Sequence, residues 1–171
     1  MPVTEARPVS ERIADAILQR LRLLTAGYSD QFLASGAERP LRNDAGTPDH
    51  LRIVLTQQSP DRLEELDCPG NPPALAYTVV FNIRCYVMPS ENDPTPVEEY
   101  VNVMAAEVVR VICDEDMIED ATQWHTMGDL SINAEWQSHE NIDSDGSYDG
   151  VNIPLLVTYR VTEGNPFEVR A

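Results

Sequence analysis

Lysine is missing from this chain altogether: all 12 basic residues are arginines, set against 29 acidic ones, for a formal net charge of -17. That balance repels phosphates, so a module that reads nucleic acid sequence or binds an anionic membrane is disfavoured, while DNA that must pass without sticking is not. Acidic, lysine-free composition is also what a high-salt cytoplasm or a GC-rich genome produces whatever the function. Cysteine is scarce. Cys68, Cys85 and Cys113 are odd in number, far apart and form no CxxC pair, which argues against a disulfide framework or zinc site and for three reduced thiols. No apolar run approaches the roughly 18 to 20 residues that a membrane span needs. The N-terminus lacks the basic, apolar, small-residue order of a signal peptide, so the expectation is a soluble protein made and kept in cytoplasm.

Catalytic signatures are missing as well. There is no GxSxG, HExxH, GxxxxGK or Rossmann glycine pattern. Glu64-Glu65 and Glu98-Glu99 are neighbours on predicted helix surfaces that point apart rather than share a proton. Nothing here supports catalysis, and no cofactor is called for. His50, His125 and His139 share no metal spacing, so no metal site is expected from them. One cluster invites a ligand: Asp143, Asp145 and Asp149 can supply hard oxygens to calcium. Tyr148, however, stands at the EF-hand glycine position and Pro154 at that of the bidentate glutamate, which favours a solvated hairpin loop. Trp124 and Trp136 read as core or interface anchors.

What is present is periodicity. With 171 residues the chain reads as one domain, 1–171, long enough to bury a core. Met1 to Val9 reads as a flexible arm. Ser10 reads as the cap of a helix carrying Ile13, Ile17, Leu21 and Leu24 on one stripe, stopped by a left-handed Gly27. Tyr28 to His50 is broken by Gly and Pro, with a short strand expected around Glu38 to Arg42. Leu51 to Gln57 reads as a strand, Ser59-Pro60-Asp61 as the start of a short helix reaching Leu66, and Leu75 to Met88 as a long strand. In that strand Tyr77, Val79, Phe81, Ile83, Cys85 and Val87 face one way and Thr78, Asn82 and Arg84 the other. It would span roughly 45 Å at about 3.3 Å per residue, so it either projects in part as an arm or bends near Asn82 inside one sheet. Thr95 and Glu98 form a predicted capping box with Pro96 in the first turn, and Val97, Val101, Met104, Val108 and Ile112 make a second apolar stripe. Met117 to Gly128 reads as a connection anchored by Trp124. Strands follow at Leu130 to Gln137 and Val151 to Val161, then a tail over 163–171. The sum is an α+β domain: a mostly antiparallel sheet of four to five strands with two amphipathic helices on one face.

The succession ERIADAILQRLRLL, LRIVLTQQ, LAYTVVFNIRCYV, PVEEYVNVMAAEVVRVI and GVNIPLLVTYRVTEGNPF, from about Ser10 to Phe167, resembles the tail terminator and tail completion proteins of long-tailed phages and archaeal tailed viruses, of the lambda minor tail protein U kind. The connections at Tyr28 to His50 and Ser59 to Pro73 are longer than compact members carry. The resemblance implies a virion protein and not an enzyme: a hexameric ring that caps the tail tube, ends its polymerisation and joins it to the head connector. Its partners would be its own copies, the tail tube protein and a head-tail connector or neck protein, with DNA passing the lumen unbound and no membrane involved. Asp143, Asp145 and Asp149 would then face the lumen or a neighbouring ring, and lysine-free acidity would fit the virus of a halophilic host. Another neck component, such as a head-completion or stopper protein, is the runner-up. A small acidic ligand-binding or enzyme domain is the reading from a different class.

Overall fold

The computed structural model describes residues 7–40, 51–88, 92–114, 131, 133–142 and 149–170. Two helices, α1 (Val9–Leu23) and α2 (Val97–Cys113), pack on one face of a single sheet. Its strands are β1 (Gly36–Glu38), β2 (Arg52–Gln57), β3 (Asp61–Arg62), β4 (Ala74–Val87), β5 (Asn133–Trp136), β6 (Glu140–Asn141), β7 (Asp149–Thr162) and β8 (Asn165–Val169). The fold is α+β, but among the described residues the sheet has 8 strands rather than four to five. The extra ones are short pieces along the margins: β3 lies on β4, and β6 and β8 lie on β7. Segments of two to five residues have little or no periodicity to read; their strand geometry comes from pairing with a long neighbour.

The long strand does not leave the sheet. β4 pairs antiparallel with β7 over its whole length, from Ala74↔Thr162 to Val87↔Asp149, in an unbroken register with no bulge near Asn82. On its other side β4 takes β2, antiparallel, from Arg52↔Tyr86 to Gln57↔Phe81, as the expected wide hairpin requires. Among the described residues only β1 runs parallel to its neighbour, β2. Pro154 sits inside β7, where a missing donor would ordinarily break a ladder. Its carbonyl accepts from Gln137 N at 2.9 Å on the outer side, so its missing N–H also points outward, between the stretches that β5 and β6 cover.

Register explains the core. Ile53 and Leu55 of β2, Val79, Phe81, Ile83 and Cys85 of β4, and Ile153, Leu155 and Val157 of β7 all face the helices and are buried. They meet Ile13, Ile17 and Leu21 of α1 and Met104, Val108 and Ile112 of α2. Trp136 of β5 packs against the rim of that cluster, while Trp124 lies outside the described residues. The opposite face is mixed and not simply wet: Val54, Ala76 and Tyr86 are buried there along with Thr56, Asn152 and Thr158. Interior strands shield one another, and the Asn152 side chain donates to Asn82 Oδ1 at 3.0 Å and Glu140 Oε2 at 3.4 Å.

Three end signals differ from expectation. Pro8, not Ser10, precedes the first turn of α1, and its carbonyl accepts from Glu11 N and Arg12 N at 3.0 and 3.1 Å. Ser10 is inside the helix, buried, with its side chain meeting the Tyr159 hydroxyl. Before α2 the Thr95–Glu98 capping box does not form: Pro96 is the cap residue, and Asp93 Oδ1 accepts from Thr95 N at 2.9 Å. A proline in the cap place leaves the helix start to fixed φ and a local Asx turn. The expected C-terminal tail folds back as β8, with Gly164 at φ 77 in the turn. Where a short helix was expected, β3 and a single 3-10 turn, Glu64–Leu66, occupy the chain. The end of α1 is as expected: Gly27 adopts φ 90 and Tyr28 N reaches Leu23 O at 3.2 Å.

The C-terminal ends of the helices are clasped together. Arg20 donates to the carbonyls of Val111 at 3.4 Å and Asp114 at 2.7 Å, Tyr28 donates to Asp114 Oδ2 at 2.5 Å, and the Arg110 guanidinium lies 4.6 Å from the Tyr28 ring centre. Burial, then the hydrogen bond and charge of Asp114, push the Tyr28 hydroxyl up to about 12 from 10.0. The folded form therefore keeps a proton that the unfolded chain loses, so this stability is whole below pH 10 and declines as pH rises toward 12. Tyr28→Phe should lose stability less steeply than the wild type over that window in denaturation followed against pH. A second expectation concerns the central ladder. A Cβ on Gly150 would lie 2.5 Å from the Cys85 carbonyl oxygen, so Gly150→Ala should lower stability by about 1–3 kcal/mol, read as a shifted urea midpoint.

Candidate assembly surfaces

The long β4–β7 ladder gives the domain two unlike ends. At one end β7 begins with Asp149, exposed and paired across from Val87. Asp149, Glu98, Asn102 and Asn141 line a polar hollow of about 560 Å³ beneath the first turn of α2. Of the three aspartates singled out in the sequence, Asp149 is therefore placed beside carboxylate and amide groups. Asp143 and Asp145 lie outside the described residues. Among the described residues no three His, Cys, Asp or Glu side chains are grouped to hold a metal ion. His139 is exposed beside β6, and His50 and His125 lie outside the described residues. The thiols Cys68, Cys85 and Cys113 are all free, and burial pushes Cys85 up to about 12, which leaves it an inert core group.

At the other end is a hollow that the sequence does not announce. It measures about 500 Å³ and lies between the start of α1 (Pro8 to Ser10), Leu75 and Tyr77 of β4, Tyr159, Val161 and Thr162 near the end of β7, and the Gly164–Pro166 turn. Tyr77 and Tyr159 stack in its wall with ring centres 5.9 Å apart and planes at 23°. These are directly opposed cross-strand partners, so the register of β4 against β7 creates the stack. Burial raises the Tyr159 hydroxyl above its ordinary range. The polar side chains among its described lining residues are hydroxyls and an amide, and none of them is charged. Each tyrosine was visible in its strand pattern; only pairing could put them together.

Between the two ends run the sheet margins. β1 closes one side and β5 the other, and among the described residues neither outer edge has a strand partner. The β1 margin is braced from α1: Arg39 donates to Glu11 Oε2 at 2.9 Å, and Gln57 donates to Glu11 Oε1 at 2.9 Å. The hydrogen bond and charge of Arg39 hold the Glu11 carboxyl below its usual range despite partial burial. Such bracing keeps a three-residue edge strand in place.

No protein-family model matches the chain, and no curated protein matches its sequence. The surfaces themselves must carry the functional argument. The Asp149 residue is exposed at the end of the ladder, so Asp149→Asn should change unfolding free energy by less than about 0.5 kcal/mol. A larger loss on chemical denaturation would make Asp149 a structural residue instead of a surface one.

Proposed function

We propose that the chain is a tail terminator: a structural protein whose copies close a hexameric ring on the last layer of a viral tail tube, stop its growth and offer a face to the head connector. The observation that carries this reading is a sheet left unpaired at both margins among the described residues, β1 on one side and β5 on the other. Two different edges meeting copy to copy make a heterologous contact, the kind that generates rings. The resemblance running from about Ser10 to Phe167, and two helices covering one face of a mostly antiparallel sheet, support the same assignment. A net charge of -17 suits a lumen through which DNA slides by repulsion. In this arrangement Asp143, Asp145 and Asp149 face the lumen or the adjoining ring, and the partners are further copies, the tube protein and a neck protein.

Electron microscopy of tails assembled without this protein tests the proposal. Tubes of uncontrolled length are the expected result. Tubes of normal length that lack heads would assign a joining role in the neck instead, and normal, head-bearing particles would end the virion reading.

A further inference from the structure

We infer that the uncharged hollow at the start of α1 is the seat of a neighbouring copy of this chain, which inserts the loop carrying Leu33. The inference rests on the ring reading and names its seam. The first argument is charge. Copies that each carry -17 repel one another, so a lasting contact must use patches free of carboxylates. The described residues lining the hollow, among them Val9, Leu75, Tyr77, Tyr159 and Pro166, include no charged side chain. The stretch Gln31 to Gly36 is likewise uncharged.

The second argument is the shape of that loop. Leu33 is 58% exposed, while its neighbours Phe32 and Ala34 are buried. Ser29 Oγ accepts from Gln31 N at 3.0 Å and Phe32 N at 3.4 Å, Ala34 N donates to Leu24 O at 3.0 Å, and Ser35 N donates to Leu51 O at 3.1 Å. The loop is pinned on both sides of Leu33, so the leucine is held outward at little further loss of freedom on binding.

The third argument comes from the hollow itself. Thr162 lines it, is 5% exposed, and its hydroxyl has no hydrogen-bond partner. That hydroxyl is closed off from solvent, so what the hollow presents to an incoming leucine is the apolar wall of Val161, Leu75 and the stacked tyrosines. Geometry then decides between self-filling and exchange. Leu33 precedes β1 and stands near the β2 start, which pairs with Tyr86, whereas the hollow is built on Leu75 and Tyr77. Along β4 that separation is roughly 36 Å at about 3.3 Å per residue. The hollow's rim at Gly164–Pro166 also belongs to the β8 margin, across the sheet from β1. The Leu33 loop therefore does not reach the hollow of its own copy, and it fills that of the next.

Sedimentation of the full chain tests this with two exposed sites, Leu33→Asp in the loop and Pro166→Glu at the rim. Each variant alone should assemble at least about tenfold more weakly than the wild type, the loss expected of a central apolar anchor. An equal mixture should give one-to-one dimers, because one variant keeps its hollow and the other its leucine. Should Leu33→Asp fail to fold, Leu33→Gln replaces it. Variants that assemble like the wild type overturn this seam and leave a ring closed by other contacts. A mixture that stays monomeric, or a wild type monomeric at every concentration, overturns it as well, and the ring reading is then decided by the tail tubes.

Discussion

The pairing of β4 with β7 is the constraint on which the other elements depend. It joins stretches separated by α2 and a long connection, and it runs through 14 residue pairs without a break. Every other strand except β1 is laid directly on one of these two, β2 and β3 on β4, and β5, β6 and β8 on β7. Both helices need the apolar face that the two strands create together, since neither strand alone is wide enough to cover a helix. Gly150 marks how closely the backbones approach, because any side chain there meets the Cys85 carbonyl. The two hollows lie at the two ends of this ladder, so their separation is set by its length.

Charge acts at a second level. Arginine, with a planar fork that meets carboxylates and amides in fixed geometry, supplies all the positive groups. Arg39 engages Glu11 and Gln57 together, Arg52 pairs with Glu38, Arg62 with Asp67, and Arg110 with Glu107. Only the Arg62–Asp67 contact is classed as exposed and the others are part-buried, and ion pairs so close to the surface each contribute modestly to stability. They do leave carboxylates in excess over the rest of the surface, and a contact at uncharged patches, such as those at Leu33 and the stacked tyrosines, keeps like charges farther apart.

Much of the fold was legible because it is written in periodicity. The stripes of Ile13, Ile17 and Leu21 and of Met104, Val108 and Ile112, and the alternation through Val79, Phe81, Ile83 and Cys85, each reach the core as their spacing demands. Helix starts were less legible: Ser10 and Thr95 have capping chemistry, yet the prolines Pro8 and Pro96 occupy the cap places. The marginal strands β1, β3, β6 and β8 owe their conformation to partners rather than to their own residues. The apolar hollow was not legible at all, because its walls come from separate stretches of chain, from Pro8 to Pro166, that share no local pattern. The acidic loop was plain in the sequence, though of its aspartates only Asp149 falls among the described residues.

A ring seam made from sheet edges alone would be weak here. β1 offers three residues and β5 four, and each backbone hydrogen bond exchanged with water contributes only about 0.5–1.5 kcal/mol net. Against the repulsion of two strongly acidic copies, a few such bonds can set register and direction but not affinity. Affinity has to come from apolar surface removed from water at about 25 cal/mol per Å². A leucine held out beside one margin and a hollow opening at the other provide that surface in complementary form on the same two sides of the sheet. Edge pairing would then fix how the copies line up, and the apolar contact would hold them there.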